Sequence, residues 1–373
     1  MQNSPCLISP RSSSSQLNPD DLELAVSSGG SAAVLAGVGT FVATELAGIS
    51  KWRRLFGVSG GAVITSLAAC GMTSKEMIGM ALAVDFDGLI TWREGILYPF
   101  FRLLGAAPAD GSDLIHDPDW RETHWTGLFG TCGLNRIICE QTSQLGMCGQ
   151  WPDNFATMAT TRDGSQVVFN KDGVFHLTLD GDQVQLADKP VPLAFAVRAS
   201  STIPGVLAAL EFKGITLYDG AMSRDGLCPV GMLVRNFGAD PKKVLACRVG
   251  EDNLKPIMGR LHRAARVFWR VHPHFHWGPE TAGVMEFRPA IDHVQTLKFK
   301  LSPDEKWYAI LTSFEACVAR LAVEGILYGD KLQEAREIIA SLGYWRDAVP
   351  SPLGEAQRIA ANAERVFRQH GLV

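Results

Sequence analysis

The N-terminal part of the chain alternates short apolar runs with longer stretches of small apolar residues. Residues 22–26 and 54–58 have the length and alternation of strands, and each run enters a turn rich in glycine and serine. The apolar stretches that follow, residues 33–46 and 62–70, predict helices. Two successive strand–turn–helix units predict a parallel sheet with helices on its faces, because parallel strands need such crossover connections.

The rest of the chain adds elements to this sheet. Helices are predicted over 74–107 and 132–145, and Asp-Gly pairs at 163–164 and 172–173 predict hairpins between alternating runs. The other predicted elements are strands at 155–161, 166–170, 174–179, 207–212, 215–218 and 244–249, and a helix at 192–199. From about residue 255 onward the pattern predicts helices only. We therefore expect an α/β fold with a mainly parallel central sheet and a C-terminal helical extension.

Composition and charge narrow the function classes. Hydrophobic residues make up 46% of the 373 residues and charged residues 20%, which is typical of a globular protein. The formal net charge of −4 provides no field that attracts polyanions, so no nucleic-acid polymer is expected as a partner. No apolar run approaches the roughly 18 residues of a membrane span, so any membrane contact is expected from the side.

The N-terminal residues and the cysteines indicate the cellular compartment in which the protein folds. Residues 1–20 are rich in serine, proline and asparagine and lack an apolar core, which predicts a flexible tail rather than a signal peptide. The eight cysteines form no CxxC pair and lack the spacing to histidine that zinc ligands show. They predict reduced thiols in the cytoplasm, with no metal and no cofactor.

A serine in a glycine-rich turn is the first candidate for chemistry. Gly57-Val58-Ser59-Gly60-Gly61 matches the G-x-S-x-G pattern of a sharp strand-to-helix turn, which holds a serine hydroxyl exposed for nucleophilic attack. The start of the following helix offers unpaired N–H groups to a developing negative charge. The same residues fit a plain turn in which Ser59 caps the helix, so both interpretations stay open.

A second glycine-rich turn follows the first predicted strand. Residues 27–33 lack the Lys-Ser/Thr ending of a P-loop, and residues 37–42 lack the final glycine of a dinucleotide fingerprint. Gly29 and Gly30 can instead donate backbone hydrogen bonds to the alkoxide that forms when a serine attacks an ester. An ordinary tight turn is the alternative interpretation.

A candidate base lies in the middle of the chain. Asp219 ends a predicted strand and precedes a glycine, a position where a sheet edge can hold a carboxylate. Asp-Gly pairs also form Asx turns readily, and that interpretation explains the pair equally well. The stretch Arg198-Ala199-Ser200-Ser201-Thr202-Ile203-Pro204-Gly205 precedes it, between a predicted helix and the next strands.

These segments, taken in order, resemble the patatin-like phospholipase family over about residues 22–250. The segments are Gly29-Gly30, residues 57–61, residues 198–205 and Asp219-Gly220-Ala221. The resemblance implies a three-layer α/β/α fold and a Ser-Asp dyad, with Ser59 as nucleophile and Asp219 as base. It also implies Gly29, Gly30 and Gly60 as oxyanion-hole donors. The implied substrates are acyl esters of glycerolipids, which are cleaved through an acyl-enzyme.

Two positions depart from the family pattern. Ser28 stands where the family usually has the first of three glycines, and residues 31–33 contain no cation, which the family usually carries there. After Asp219, residues 223–226 read Ser-Arg-Asp-Gly where the family often has an asparagine. These departures concern the loop geometry and a head-group role of the missing charge, and they leave the implied chemistry intact.

The resemblance also divides the chain. We expect a flexible tail over 1–20, a patatin-like catalytic domain over 21–250 and a C-terminal helical region over 251–373. Within the catalytic domain, residues 74–150 are predicted as a helical and aromatic insertion that can serve as a lid. Its aromatic segment, residues 92–104, fits either core packing or a lipid-facing lid.

Two further features lie in the predicted C-terminal region. Residues 255–271 project as a basic amphipathic helix, which suits an anionic lipid surface or an acidic partner, although an ordinary surface helix fits as well. The second feature is a group of four histidines, His262, His272, His274 and His276. Their alternation fits a metal site on a strand, but Pro273 and Pro279 favour a loop with surface histidines.

The leading hypothesis is a phospholipase A or lysophospholipase that cleaves membrane glycerophospholipids, in the cytoplasm and peripherally bound to the membrane when active. Similar chains include bacterial toxins and antiviral-defence effectors, so a homo-oligomer and a small-molecule or protein activator are expected partners. One alternative is an α/β-hydrolase whose Ser-His-Asp triad is completed by a histidine such as His293. The other is a catalytically silent lipid-binding or scaffold protein.

Overall fold

A computed structural model describes residues 18–89, 120–123, 127–249, 277–291, 294, 300–343, 345 and 358–373. The strands in these residues are β1 Glu23–Val26, β2 Arg54–Gly57, β3 Trp120–Thr123, β4 Gly127–Phe129, β5 Phe155–Thr160, β6 Gln166–Asn170, β7 Gly173–Leu177, β8 Gln183–Ala187, β9 Gly205–Leu207, β10 Ala209–Phe212, β11 Ile215–Asp219, β12 Val244–Cys247 and β13 Met285–Phe287. The α-helices are α1 Gly30–Leu46, α2 Gly60–Ala69, α3 Ser74–Ala83, α4 Cys132–Gln144, α5 Leu193–Ser200, α6 Val230–Phe237, α7 Pro303–Val323, α8 Gly329–Leu342 and α9 Arg358–Gln369.

Five parallel strands form the centre of the main sheet, in the order β13-β12-β1-β2-β5. Strands β11, β10 and β3 continue from β5 with antiparallel pairing, and β6, β7 and β8 form an antiparallel meander that also starts at β5. Strands β4 and β9 pair in parallel as a small separate sheet. The predicted α/β class with parallel central strands and the two predicted hairpins are therefore confirmed.

Hydrophobic side chains pack on both faces of this sheet. Leu24 and Val26 of β1 belong to a core that includes residues of α1, α2 and α7, whereas Ala25 belongs to a core with α6. This division follows from the alternation of side chains along a strand. A third cluster joins α5 to β5, β6 and β11. Helices therefore cover both faces, as the three-layer arrangement requires.

The C-terminal helix α7 packs directly on α1. A Cβ atom added at Gly39 would lie 2.2 Å from the carbonyl oxygen of Ile310, so the two helix backbones approach as closely as glycine allows. Beside this contact the hydroxyls of Thr40 and Ser313 lie 3.2 Å apart, within hydrogen-bond distance. Residues on either side of position 250 therefore share one hydrophobic core.

Several elements differ from the sequence-based expectation. The helix predicted over 74–107 is wrong in its length, because α3 ends at Ala83 and Val84 is extended. The prediction of helices only after residue 255 is also wrong, because β13 pairs in parallel with β12. A three-residue strand is too short for its alternation to be distinguished from a helical pattern. The predicted strand 207–212 is divided into β9 and β10. Strands β3 and β4, which lie within the range 74–150 predicted as helical, and strand β8 were not predicted.

Some predicted features lie outside the described residues. They are residues 1–17 of the tail, the aromatic segment 92–104, the basic segment 255–271, the four histidines of the C-terminal region and His293. Within the described ranges, no helix combines the length and the apolar character that crossing a bilayer requires.

Candidate active site

The nucleophile candidate stands on a strained turn between β2 and α2. Ser59 has φ 56° and ψ −125°, a backbone conformation that non-glycine residues rarely adopt and that is common at functional sites. Its side chain makes no capping hydrogen bond to α2, so the interpretation of Ser59 as a helix cap is wrong. The hydroxyl instead donates a hydrogen bond of 2.7 Å to Oδ2 of Asp219.

Glycines allow two chain segments to approach this turn closely. A Cβ atom at Gly60 would lie 2.0 Å from the carbonyl oxygen of Gly30, and one at Gly61 would lie 2.4 Å from that of Val26. Real Cβ atoms do not come this close to other heavy atoms, so side chains are excluded at both positions. The first residues of α1 and α2 are thereby held against each other, next to Ser59.

The strand order explains why Asp219 reaches Ser59 although 160 positions separate them in sequence. On one edge of β5, residues 156–160 pair with β6. The other edge is shared, because β2 pairs with residues 155–157 and β11 pairs with Ala159 and Thr160. The strands β2 and β11 therefore run towards each other along the same edge. The residues at their ends, Ser59 just after β2 and Asp219 at the end of β11, meet there.

Each carboxylate oxygen of Asp219 has its own hydrogen-bond donor. Oδ1 accepts a hydrogen bond of 2.8 Å from the amide of Ala221, which is the Asx turn that the Asp-Gly pair also predicted. Oδ2 accepts the hydrogen bond from Ser59. Burial raises the pKa of Asp219 from 3.8 to about 7, and the two hydrogen bonds only partly oppose this rise. A carboxylate with such a pKa can accept and release a proton near neutral pH.

Two residues that the sequence analysis did not single out individually hold this pair in place. The amide of Ser59 donates a hydrogen bond of 3.0 Å to the hydroxyl of Ser200, and the amide of Asp219 donates one of 2.8 Å to the carbonyl oxygen of Thr202. Ser200 and Thr202 are both fully buried. Both residues belong to the stretch 198–205, which the sequence marks as a motif. The sequence does not show which residue of the motif contacts Ser59 and which contacts Asp219, because these contacts are tertiary.

The candidate oxyanion donors stand at the starts of two helices. Gly30 and Gly60 are the first residues of α1 and α2, and both line the pocket beside Ser59. Gly29 precedes α1 with a positive φ of 151° and is not among the pocket-lining residues of the described ranges. Within those ranges no carbonyl or side chain accepts a hydrogen bond from these three amides. By contrast, the amides of Ser27 and Ser28 are bonded to the carbonyl oxygens of Cys247 and Leu227.

An apolar pocket opens at Ser59. The space free of protein atoms measures about 740 Å³, a volume that includes the open solvent at its mouth. Its apolar lining residues are Val34, Val63, Met80, Val84, Phe86, Leu89, Leu134, Ile137, Ile203 and Leu207. The polar ones carry only hydroxyl groups, and they are Ser31, Ser59, Thr131 and Ser201. Among the described residues, the lining contains no charged side chain, so the pocket suits a hydrocarbon chain.

A buried arginine supports one wall of this pocket. Arg198 is 2% exposed, and its Nε donates a hydrogen bond of 3.0 Å to the hydroxyl of Thr131, which lines the pocket at the start of α4. Arg198 lies on α5, next to Ser200. The stretch 198–205 therefore contributes both to the elbow and to the pocket wall.

The fold and the site together define an α/β protein that presents a hydrogen-bonded serine–aspartate pair at an apolar pocket. The family model described as patatin-like phospholipase matches residues 24–234, more than half of the 373 residues. The chain belongs to the patatin-like phospholipase family, as the resemblance in its motifs predicted. Membership of this family supports its assignment as a lipid acyl hydrolase.

Two solved structures are similar to this chain. VipD from Legionella pneumophila is 11% identical, with a TM-score of 0.43, and the match covers 94% of this chain and 79% of VipD. The type III effector protein ExoU is 15% identical, with a TM-score of 0.39, and the match covers 95% of this chain and 70% of ExoU. Among curated proteins, none matches the sequence.

Proposed function

We propose that the chain hydrolyses acyl ester bonds of membrane glycerophospholipids, with Ser59 as the nucleophile and Asp219 as its base. One observation carries this proposal. The Ser59 hydroxyl, on a strained turn that lines an apolar pocket, donates a 2.7 Å hydrogen bond to the buried Asp219 carboxylate. A nucleophile within hydrogen-bond reach of a base with a pKa near neutrality is the arrangement that covalent catalysis by serine requires.

In the proposed reaction, Asp219 takes the Ser59 proton while Oγ attacks the ester carbonyl carbon. The carbonyl oxygen becomes an oxyanion, which the amides at Gly30 and Gly60, together with Gly29, stabilise by hydrogen bonds. The tetrahedral intermediate then expels the lysolipid alkoxide, which receives the proton from Asp219. In the second half, water loses a proton to Asp219 as it attacks the acyl-enzyme. The fatty acid leaves, and the proton returns to Ser59.

The lining of the pocket supports a substrate with a long acyl chain. Burial of each methylene group stabilises a bound chain by about 0.8 kcal/mol, and ten apolar side chains are available to cover it. The described lining has no charged side chain that could bind a head group. We therefore propose that the head group stays outside the pocket, at the membrane surface. The proposed activity is of the phospholipase A or lysophospholipase type, at a membrane that the protein contacts peripherally from the cytoplasm.

A serine-reactive fluorophosphonate probe and purified full-length protein test the proposal. We expect the probe to label the wild type and not Ser59→Ala. The matched control is Ser201→Ala, which removes another hydroxyl from the same pocket and should still be labelled. Mass spectrometry of mixed phospholipid vesicles should then detect free fatty acid with the wild type and with Ser201→Ala, but not with Ser59→Ala. Folded wild-type protein that is not labelled would favour the silent lipid-binding alternative.

The triad alternative is tested at the histidines. Asp219 accepts the Ser59 hydrogen bond directly, which supports a dyad. His293→Ala is therefore expected to keep the wild-type rate on a soluble ester, and so are single alanine variants of the other eight histidines. Loss of turnover in one folded histidine variant, with fluorophosphonate labelling also lost, would replace the dyad by a Ser-His-Asp triad.

The raised pKa of Asp219 predicts the pH dependence of the reaction. The base must be unprotonated, and its pKa is about 7. We therefore expect kcat/KM for a soluble short-chain ester to be half-maximal near pH 7, constant at higher pH and about tenfold lower for each pH unit below. The measurement is kcat/KM between about pH 5 and 9, with circular dichroism at each pH as the folding control. A constant rate down to pH 5 would contradict the proposed base.

The biological setting is proposed from the family resemblance. We propose a bacterial toxin or an antiviral-defence effector that acts as a homo-oligomer and is switched on by a small molecule or a protein. Expression in a bacterial host is expected to permeabilise the membrane with the wild type but not with Ser59→Ala. Permeabilisation only in the presence of a second component would identify that component as the activator.

A further inference from the structure

A lysine of the C-terminal helix α7 reaches the end of α3. Lys306 is 7% exposed, and its Nζ donates hydrogen bonds of 2.8 Å to the carbonyl oxygen of Leu82 and of 2.6 Å to that of Val84. The same ammonium group lies 5.5 Å from the ring centroid of Phe86, within the range of a cation–π interaction. One side chain therefore contacts the last turn of α3 and two residues of the segment that follows it.

These hydrogen bonds explain where α3 ends. The last carbonyl groups of a helix have no partner within the helix, and they need donors from elsewhere. Lys306 supplies a donor to one of them, that of Leu82, from a position 224 residues further along the chain, and a second donor to the carbonyl group of Val84 just after the helix. Because the chain is extended at Val84 instead of continuing the helix, it turns towards the pocket.

The segment held in this way is a wall of the acyl pocket. Val84, Phe86 and Leu89 all line the pocket that Ser59 also lines. Lys306 itself is not among the lining residues, and its Nζ contacts Leu82, Val84 and Phe86 rather than Ser59 or Asp219. Its influence on a bound substrate is therefore exerted through the position of these three side chains.

We propose that Lys306 is a positioning residue that fixes the Val84–Leu89 wall and thereby sets which acyl chains the pocket accepts. The inference rests on the proposed function, because it assigns the pocket to an acyl chain. Long acyl chains bury more methylene groups than short ones, so we expect their binding to depend more on the position of this wall. Lys306 therefore controls selectivity for chain length and not the chemical step.

Lys306→Met tests the proposal, because methionine keeps an unbranched side chain but donates no hydrogen bond. The assay compares kcat/KM for p-nitrophenyl esters of butyrate and dodecanoate. We expect the ratio of kcat/KM for dodecanoate to kcat/KM for butyrate to fall about tenfold or more. This is the range of discrimination that contacts between a pocket and methylene groups provide. The kcat/KM for butyrate should stay within about twofold of the wild-type value. The matched control is Lys75→Met, an exposed lysine on α3 itself, for which no change is expected.

A purely structural role is distinguished by the two substrates. An equal loss on both esters, or an unchanged ratio, would overturn the proposal. Lys306→Gln is the second variant if Lys306→Met does not fold, because its neutral side chain, one bond shorter than lysine, still offers donors but holds the two carbonyl groups less firmly. An intermediate fall of the ratio is expected for it, and a wild-type ratio would overturn the proposal.

A measurement of dodecanoate binding tests the role of Lys306 independently of the proposed hydrolysis. Dodecanoate affinity is measured by calorimetry for Ser59→Ala and for the double variant Ser59→Ala/Lys306→Met. We expect about tenfold weaker binding in the double variant, and equal affinities would overturn the role of Lys306. If the wild type shows no Ser59-dependent hydrolysis, the proposed function fails, while the binding comparison still decides the role of Lys306.

Discussion

Asp219→Asn is expected to lower kcat on phospholipid and on soluble esters by about 10²–10⁴-fold, the contribution typical of a general base. Asparagine has nearly the same shape, and its one oxygen can still accept the hydrogen bond from the amide of Ala221. Its amide nitrogen then faces Ser59 as a donor, so it cannot take the serine proton. The loss should appear in kcat rather than in KM, because Asp219 is not among the pocket-lining residues of the described ranges. Steady-state kinetics on a short-chain ester measure the effect.

The same variant should remain folded, which separates loss of catalysis from loss of structure. Burial raises the pKa of Asp219 above its unfolded-state value, so the ionised carboxyl destabilises the fold increasingly as the pH rises from 3.8 to about 7. Removing this charge should therefore leave the melting temperature at pH 8 unchanged or higher. Asp182→Asn, at an exposed turn, is the matched control for activity. Turnover by Asp219→Asn above about one tenth of the wild-type rate would exclude Asp219 as the base.

The fold could be predicted from the sequence where local patterns determine it. The two strand–turn–helix units have alternating or apolar runs followed by glycine, and β1, α1, β2 and α2 are found where these patterns predicted them. The end of α3 could not be predicted, because the donor to the carbonyl groups of Leu82, in its last turn, and of Val84, just after it, is Lys306 on a helix far along the chain. Strand β13 was missed because its three residues gain their structure from pairing with β12.

In the candidate site too, local sequence patterns predicted one residue, and the position of the other depends on tertiary structure. The turn at Ser59 was recognisable because its glycines are a local requirement of a strand-to-helix elbow. Asp219 was not recognisable from local pattern, because an Asx turn explains Asp-Gly equally well and the structure contains that turn at Oδ1. Its proximity to Ser59 depends on β2 and β11 sharing one edge of β5, which only the resemblance to a known family anticipated.

Gly60→Ala is expected to lower kcat by about 10²–10³-fold, the effect of losing one oxyanion-hole donor. The added Cβ would lie 2.0 Å from the carbonyl oxygen of Gly30, so the starts of α1 and α2 must move apart. Amides that stand at these two helix starts are the proposed donors, and they can no longer converge on one oxygen atom. Asp219 and the Ser59 hydroxyl keep their own hydrogen bonds, so we expect the proton transfer itself to survive.

Labelling and a matched glycine distinguish this effect from general damage. The Gly60→Ala protein should react more slowly with a fluorophosphonate, whose phosphoryl oxygen also requires the donors, while its far-ultraviolet circular dichroism stays that of the wild type. Gly79→Ala is the control, because Gly79 lies exposed on α3 with open space around its Cβ position. That change should leave kcat unaltered and add about 1 kcal/mol of helix stability. A wild-type kcat in folded Gly60→Ala would mean that the oxyanion is stabilised elsewhere, because the two helix starts would then have separated without consequence for the reaction.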